Sequence, residues 1–115
     1  MLVAHWPIYL ANYPVDMRKA INGLMLIVHN EFGHNPTNGA YYVFSNRARD
    51  RLKVLYWDNN GFALWMKRLE KSRFKFEYLA DSRVKLTADQ FNWLLSGLPW
   101  YKTSSNKPEH YSIFT

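Results

Sequence analysis

The chain has 115 residues, 48% of them hydrophobic and 21% charged, with a formal net charge of +6 and no cysteine. This is the size of one soluble domain with a modest core, too well mixed to be disordered or membrane-spanning. The missing cysteines exclude disulfide frameworks and thiolate metal sites, and no apolar run approaches the roughly 20 residues of a spanning helix.

The opening "MLVAHWPIYLANYP" has no basic region followed by an apolar run. No signal peptide is expected, and the location implied is cytoplasmic, away from any membrane. Within it "WPIYLAN" at 6–12 predicts a short first strand, with Pro7 tolerated near its start or at an edge. Asp16 stands where it can cap a helix beginning at Met17. Met17, Ala20, Ile21, Leu24, Ile27, Val28 and Phe32 recur every three or four positions and give that helix one buried stripe. Gly23 interrupts it at a cost of about 1 kcal/mol, which implies close approach of another element, and Gly33 is placed to end it.

"NPTNG" at 35–39 is turn chemistry. "AYYVFS", "LKVLYW", "FALWMKRL" and "FKFEY" at 74–78 then predict a meander of about four antiparallel strands. Thr87 and Gln90 form a T-x-x-Q capping box for a second helix carrying Phe91, Leu94 and Leu95, which Gly97 and Pro99 end. The fold class expected is α+β: this meander, the short N-terminal strand, and two helices packed on one face. A single compact domain over 1–100 and a polar tail over 101–115 complete the organisation.

The hairpin at 52–69 is apolar on both sides. With a two-residue turn, Lys53, Leu55 and Trp57 share a face with Phe62, Leu64, Met66 and Arg68. Leu52, Val54, Tyr56, Ala63, Trp65 and Lys67 share the other. If both helices cover one face, the other should meet a partner, a second copy or the tail.

The charge is unevenly placed. Residues 47–75 hold nine bases (Arg47, Arg49, Arg51, Lys53, Lys67, Arg68, Lys71, Arg73 and Lys75) against Asp50, Asp58 and Glu70, which accounts for the whole +6. Such a field either keeps a solvated face soluble or attracts phosphate backbones and acidic partners. In "NRARDR" at 46–51 three arginines alternate, so on an extended segment they would point the same way. Arg18 and Lys19 in "DMRK" are either solvated helix residues or further anion contacts. Trp57 and Trp65 suit a core more than a stacking platform.

Little suggests catalysis. The acids are scattered where a two-metal site needs convergent carboxylates, and Asp16 and Asp58 suit a cap and a turn. His29 and His34 are five apart, not the four that places two ligands on one helical face. No phosphate-cradling glycine pattern occurs. No catalytic residue, metal or cofactor is expected.

The segments "PVDMRKAINGL" at 14–24, "NPTNGAYYVFSNRARDRLKVLYWDNNGFALWMKRLEKSRFKF" at 35–76 and "LTADQFNWLLSGLPW" at 86–100 carry a family resemblance. Together they resemble the short accessory protein, often called TnpB or the second-frame protein, of the insertion-sequence-sixty-six family of bacterial mobile elements. Ala20 and Asn22 stand where that family usually has Gly and Asp, and Glu77 and Tyr78 where an aromatic-Pro pair often follows. The resemblance implies a protein encoded beside a large transposase and needed for transposition, with no catalytic residues to transfer.

The leading expectation is a non-catalytic accessory protein that binds DNA, at the element's ends, through Arg18, Lys19, Arg47, Arg49, Arg51, Lys53, Lys67, Arg68, Lys71 and Arg73. The alternative is a protein-interaction module that docks on the transposase or self-associates as a homo-oligomer. A small nuclease is disfavoured by the scattered acids.

Overall fold

A computed structural model describes residues 7–77 and 81–103. The aromatic and β-branched runs form β1 (Ile8–Pro14), β2 (Tyr41–Ser45), β3 (Arg51–Asp58) and β4 (Gly61–Arg68), and a short β5 (Arg83–Leu86) joins them. They make one sheet in the order β4-β3-β2-β1-β5. β1 runs parallel to β2, and every other neighbouring pair is antiparallel. The helix α1 (Ile21–Ile27), continued by a wider π-type turn at Val28–Phe32, makes the crossover that a parallel β1–β2 pair requires. A second helix, α2 (Ala88–Leu95), follows β5.

All five residues of β2 are buried, as befits a central strand covered on both sides. Strand alternation divides the core in two. Ile8, Leu10, Tyr41, Val43, Leu52 and Val54 pack with Phe91, Leu94 and Leu95 of α2, and with Phe74 and Trp100. Ala11, Tyr42, Phe44 and Leu55 face the other way, against Leu24 and Val28 of α1 and against Phe32.

The expected α+β class, single sheet, N-terminal strand and two helices are therefore present, and two details of arrangement differ. The helices lie on opposite faces rather than together, because the crossover lays α1 on one side while the chain after β4 crosses to the other. Each face of the sheet therefore carries one of the described helices. The second detail is the run at 74–78, whose described part, 74–77, pairs with no strand. Phe74 and Phe76 pack into the core from an extended loop, and Trp100 Nε1 donates to the Lys75 carbonyl at 3.1 Å. Edge pairing with β1 falls instead to Arg83–Leu86.

The first helix also begins later than Asp16 suggests. Its N-cap is Ala20, with no side-chain bond, and Asp16 closes a turn before it. Lys19 N–H donates to the Asp16 carbonyl at 3.0 Å. The neighbour that Gly23 accommodates is the Lys19 stem, whose carbons would lie 3.2 Å from an added Cβ. Gly33 does end the segment, at φ 67°. Residues 101–103 of the expected tail belong to a short 3-10 helix at Trp100–Thr103, and 104–115 lie outside the described residues, as does Trp6 of the expected first strand.

Candidate functional site: the basic end of the sheet

Strand direction decides where the charges go. With β1 parallel to β2, and β3 reversed between β2 and β4, the ends of β1, β2 and β4 and the start of β3 share one end of the sheet. The connections at 14–20, 46–50 and 69–77 leave from that end. Between them, with the adjoining strand ends, they carry Arg18, Lys19, Arg47, Arg49, Arg51, Arg68, Lys71, Arg73 and Lys75.

The 46–50 loop is built around Asn46. Its Oδ1 accepts the N–H groups of Asp50 and Arg51, both at 3.1 Å, and its Nδ2 donates to Asp50 at 2.6 Å. That last bond is the main reason the Asp50 carboxyl is held below its usual value. Arg49 adopts the left-handed conformation at φ 64°, which a non-glycine residue takes up only at a cost. The three arginines of "NRARDR" therefore do not share one extended segment: 46–50 is a tight loop, Arg49 lies against Phe76, and Arg51 already belongs to β3. The 69–77 connection is fastened to this loop. Leu69 N–H donates to the Asp50 carbonyl at 2.8 Å, Phe74 N–H to Arg49 at 2.7 Å, and Arg73 Nη1 to Ala48 at 3.2 Å. A cleft lined by Pro14–Met17 and Asn46–Ala48 joins the first connection to the second.

The ten candidate residues fall into two groups. Three are turned inward. Lys53 Nζ donates to the carbonyls of Met17 at 2.8 Å and Lys19 at 2.9 Å, tying β3 to the turn before α1. Lys67, on the other face, donates to the Leu95 carbonyl at 2.8 Å, where a cation suits the unpaired end of α2. The Arg49 guanidinium lies 4.1 Å from the centre of the Phe76 ring.

The others lie at the basic end, all exposed except Arg51, which is half-buried. Arg47 and Lys71 are exposed and have no polar partner among the described residues, and Arg73 keeps part of its guanidinium outside. Arg51 stands directly across β4 from Arg68, whose Nε and Nη2 reach Glu70 at 3.0 Å. Like charges directly opposite each other on a sheet repel. Arg18 folds back on Asp16 through Nε and Nη2, the shortest contact being 2.6 Å. This guanidinium, with Arg18 N–H, holds the Asp16 carboxyl down at about 2. Lys19 is exposed beside it.

Sequence reasoning overlooked two contributors. Lys75 belongs to the basic segment but not to the expected contacts, and it is exposed at this end. Asn46, the organiser of the loop, could have been found from the tendency of Asn to bind backbone N–H groups a few residues on. Among the described residues no three His, Asp or Glu side chains form a group able to hold a metal ion. No described helix is long and apolar enough to cross a membrane.

A family model described as IS66 Orf2 like protein matches residues 6–105. The chain is 36% identical over 93 residues to the uncharacterized protein y4jC of Sinorhizobium fredii (strain NBRC 101917 / NGR234), covering 81% of this chain and 80% of the relative. It is 32% identical over 93 residues to the uncharacterized protein y4hO of the same organism, covering 81% of each. No solved structure matches the chain.

Proposed function

The chain belongs to the family of IS66 Orf2 like proteins, accessory proteins of a bacterial insertion sequence, and from that premise we propose that it serves transposition by binding nucleic-acid backbone through the basic end of its sheet. The observation that carries this reading is the gathering of outward cations from three separate connections onto one end. The hairpin register that pairs the apolar residues also sets Arg51 against Arg68 there, and Glu70 engages only the second of them. An anion seated between two cations relieves their repulsion. The inward cations belong to the fold in this reading: Lys53 and Lys67 fasten backbone carbonyls, and Arg49 clamps its loop onto Phe76.

The protein acts by binding and not by catalysis. Phosphate contacts position a protein without reading bases, so sequence preference should be weak. With about six contacts among Lys19, Arg47, Arg51, Arg68, Lys71, Arg73 and Lys75, affinity for duplex DNA should fall about a thousandfold between about 50 and 200 mM salt. Fluorescence anisotropy across a salt series tests this. Affinity indifferent to salt would contradict the reading. No binding even at low salt would shift it to an acidic surface of the cognate transposase, docked on the same cations.

A further inference from the structure

The two edges of the sheet are finished differently. β5 has four residues and turns Arg83 and Lys85 out to solvent. A short, charged edge resists pairing with other chains. β4 has eight residues, keeps unbroken register with β3 from Arg51–Arg68 to Asp58–Gly61, and contains no proline. Its charges are confined to Lys67 and Arg68. No proline or bulge blunts it, and its first six residues carry no charge.

The ladder shows which groups are open. Asp58 pairs with Gly61 across the two-residue turn, so Gly61, Ala63, Trp65 and Lys67 exchange hydrogen bonds with β3. The peptide N–H and C=O groups of Phe62, Leu64, Met66 and Arg68 therefore point out of the edge. Among the described residues no further strand meets them. On the α1 side the same strand carries half-buried Phe62 and Leu64, and Met66, which is 55% exposed.

We propose that a second copy of this chain pairs its β4 antiparallel with this one about a two-fold axis, joining the two five-stranded sheets into one. The strand is complementary to itself. With the axis through Leu64, that residue meets its own counterpart, and Phe62 lies across from Met66, which covers the exposed thioether. Lys67 then falls opposite Gly61 and Arg68 opposite Asn60, so no like charges meet although each chain carries +6. The two cations are also engaged within their own chain, Lys67 on the Leu95 carbonyl and Arg68 on Glu70. Glu70 thus offsets the Arg68 charge at the edge, while Lys67 keeps its charge and lies across from an uncharged residue of the copy. The two basic ends would sit about 27 Å apart along the strand direction, at 3.3–3.4 Å per residue, facing opposite ways.

The solution mass of the full chain tests this, by sedimentation or light scattering at micromolar concentration. The expected mass is twice the 13.7 kDa of one chain. Leu64→Pro removes an outward N–H without touching the bonds to β3, a position where an edge strand tolerates proline. Met66→Lys sets a cation in the covered apolar contact. Both variants should fall to single-chain mass with an unchanged circular dichroism spectrum. If Leu64→Pro does not fold, Met66→Lys, a change at an exposed side chain, decides alone. A wild-type mass of one chain, or a doubled mass that survives in a folded variant, would overturn the proposal.

Discussion

Lys53 Nζ lies within 2.9 Å of two carbonyl oxygens, those of Met17 and Lys19, neither of which has an intrahelical partner because α1 begins only at Ile21. Charge-assisted bonds of this kind contribute about 1.5–3 kcal/mol where they are partly shielded from water. Lys53→Met keeps the aliphatic stem and removes the ammonium. It should lower unfolding stability by about 1–3 kcal/mol in a urea titration, with the salt dependence of DNA binding unchanged. A variant as stable as the wild type that bound DNA more weakly would put Lys53 in the interface instead. Asp16 gives a prediction of another kind. Its carboxyl is held at about 2, against an ordinary 3.8, chiefly by the Arg18 guanidinium. A depressed carboxyl stabilises the fold above its unfolded value, and this contribution is lost as pH falls toward 2. In Arg18→Ala the Asp16 titration followed by carboxyl NMR should move up toward 3.8. An unmoved midpoint would mean that another group depresses it.

At the scale of elements, local chemistry was legible where it is complete within a few residues. The Thr87 hydroxyl accepts Gln90 N–H at 3.0 Å and the Gln90 amide oxygen accepts Thr87 N–H at 2.9 Å, so the capping box stands as read. Thr87→Ala should cost about 1 kcal/mol of stability, measured by thermal or urea unfolding, and leave DNA binding alone. Gly33 sits at φ 67° with open space around it, so Gly33→Ala meets backbone strain alone, about 1–2 kcal/mol. The hairpin faces were legible too, since the Asn59–Asn60 turn sets Trp57 against Phe62 and Lys53 against Met66. What failed locally failed for physical reasons. "FKFEY" alternates like a strand, yet its buried Phe74 and half-buried Phe76 are satisfied by packing near Trp100 without a ladder. "RVKL" is short and half charged, as an edge strand can be, and only its pairing with β1 makes it one. Asp16 has the residue type of a helix cap, but its carboxylate is occupied by Arg18 before the helix starts.

For the whole molecule, the sequence located the charge but not its sorting. Adding up bases over 47–75 cannot distinguish Arg47, which faces solvent, from Lys67, whose ammonium is held by the end of α2 on the opposite side of the sheet. That distinction depends on long-range contacts such as Lys67 with Leu95, and on the parallel β1–β2 pairing that brings Arg18 to the same end as Arg47. The placement of a helix on each face was hidden for the same reason, since it follows from which way the chain crosses and not from any local pattern. The account therefore makes a divided prediction, in which outward cations bind and inward cations hold the fold.

The most direct measurement is the slope of log affinity against log salt for duplex DNA, compared between the wild type, Arg47/Arg51/Arg73→Ala and Lys67→Met. Each lost phosphate contact should reduce the slope by about 0.9, so the triple variant should lose up to about 2.7 while Lys67→Met keeps the wild-type slope and loses stability instead. A triple variant with the wild-type slope, or a Lys67→Met slope reduced as much per residue, would contradict the assignment of binding to the basic end.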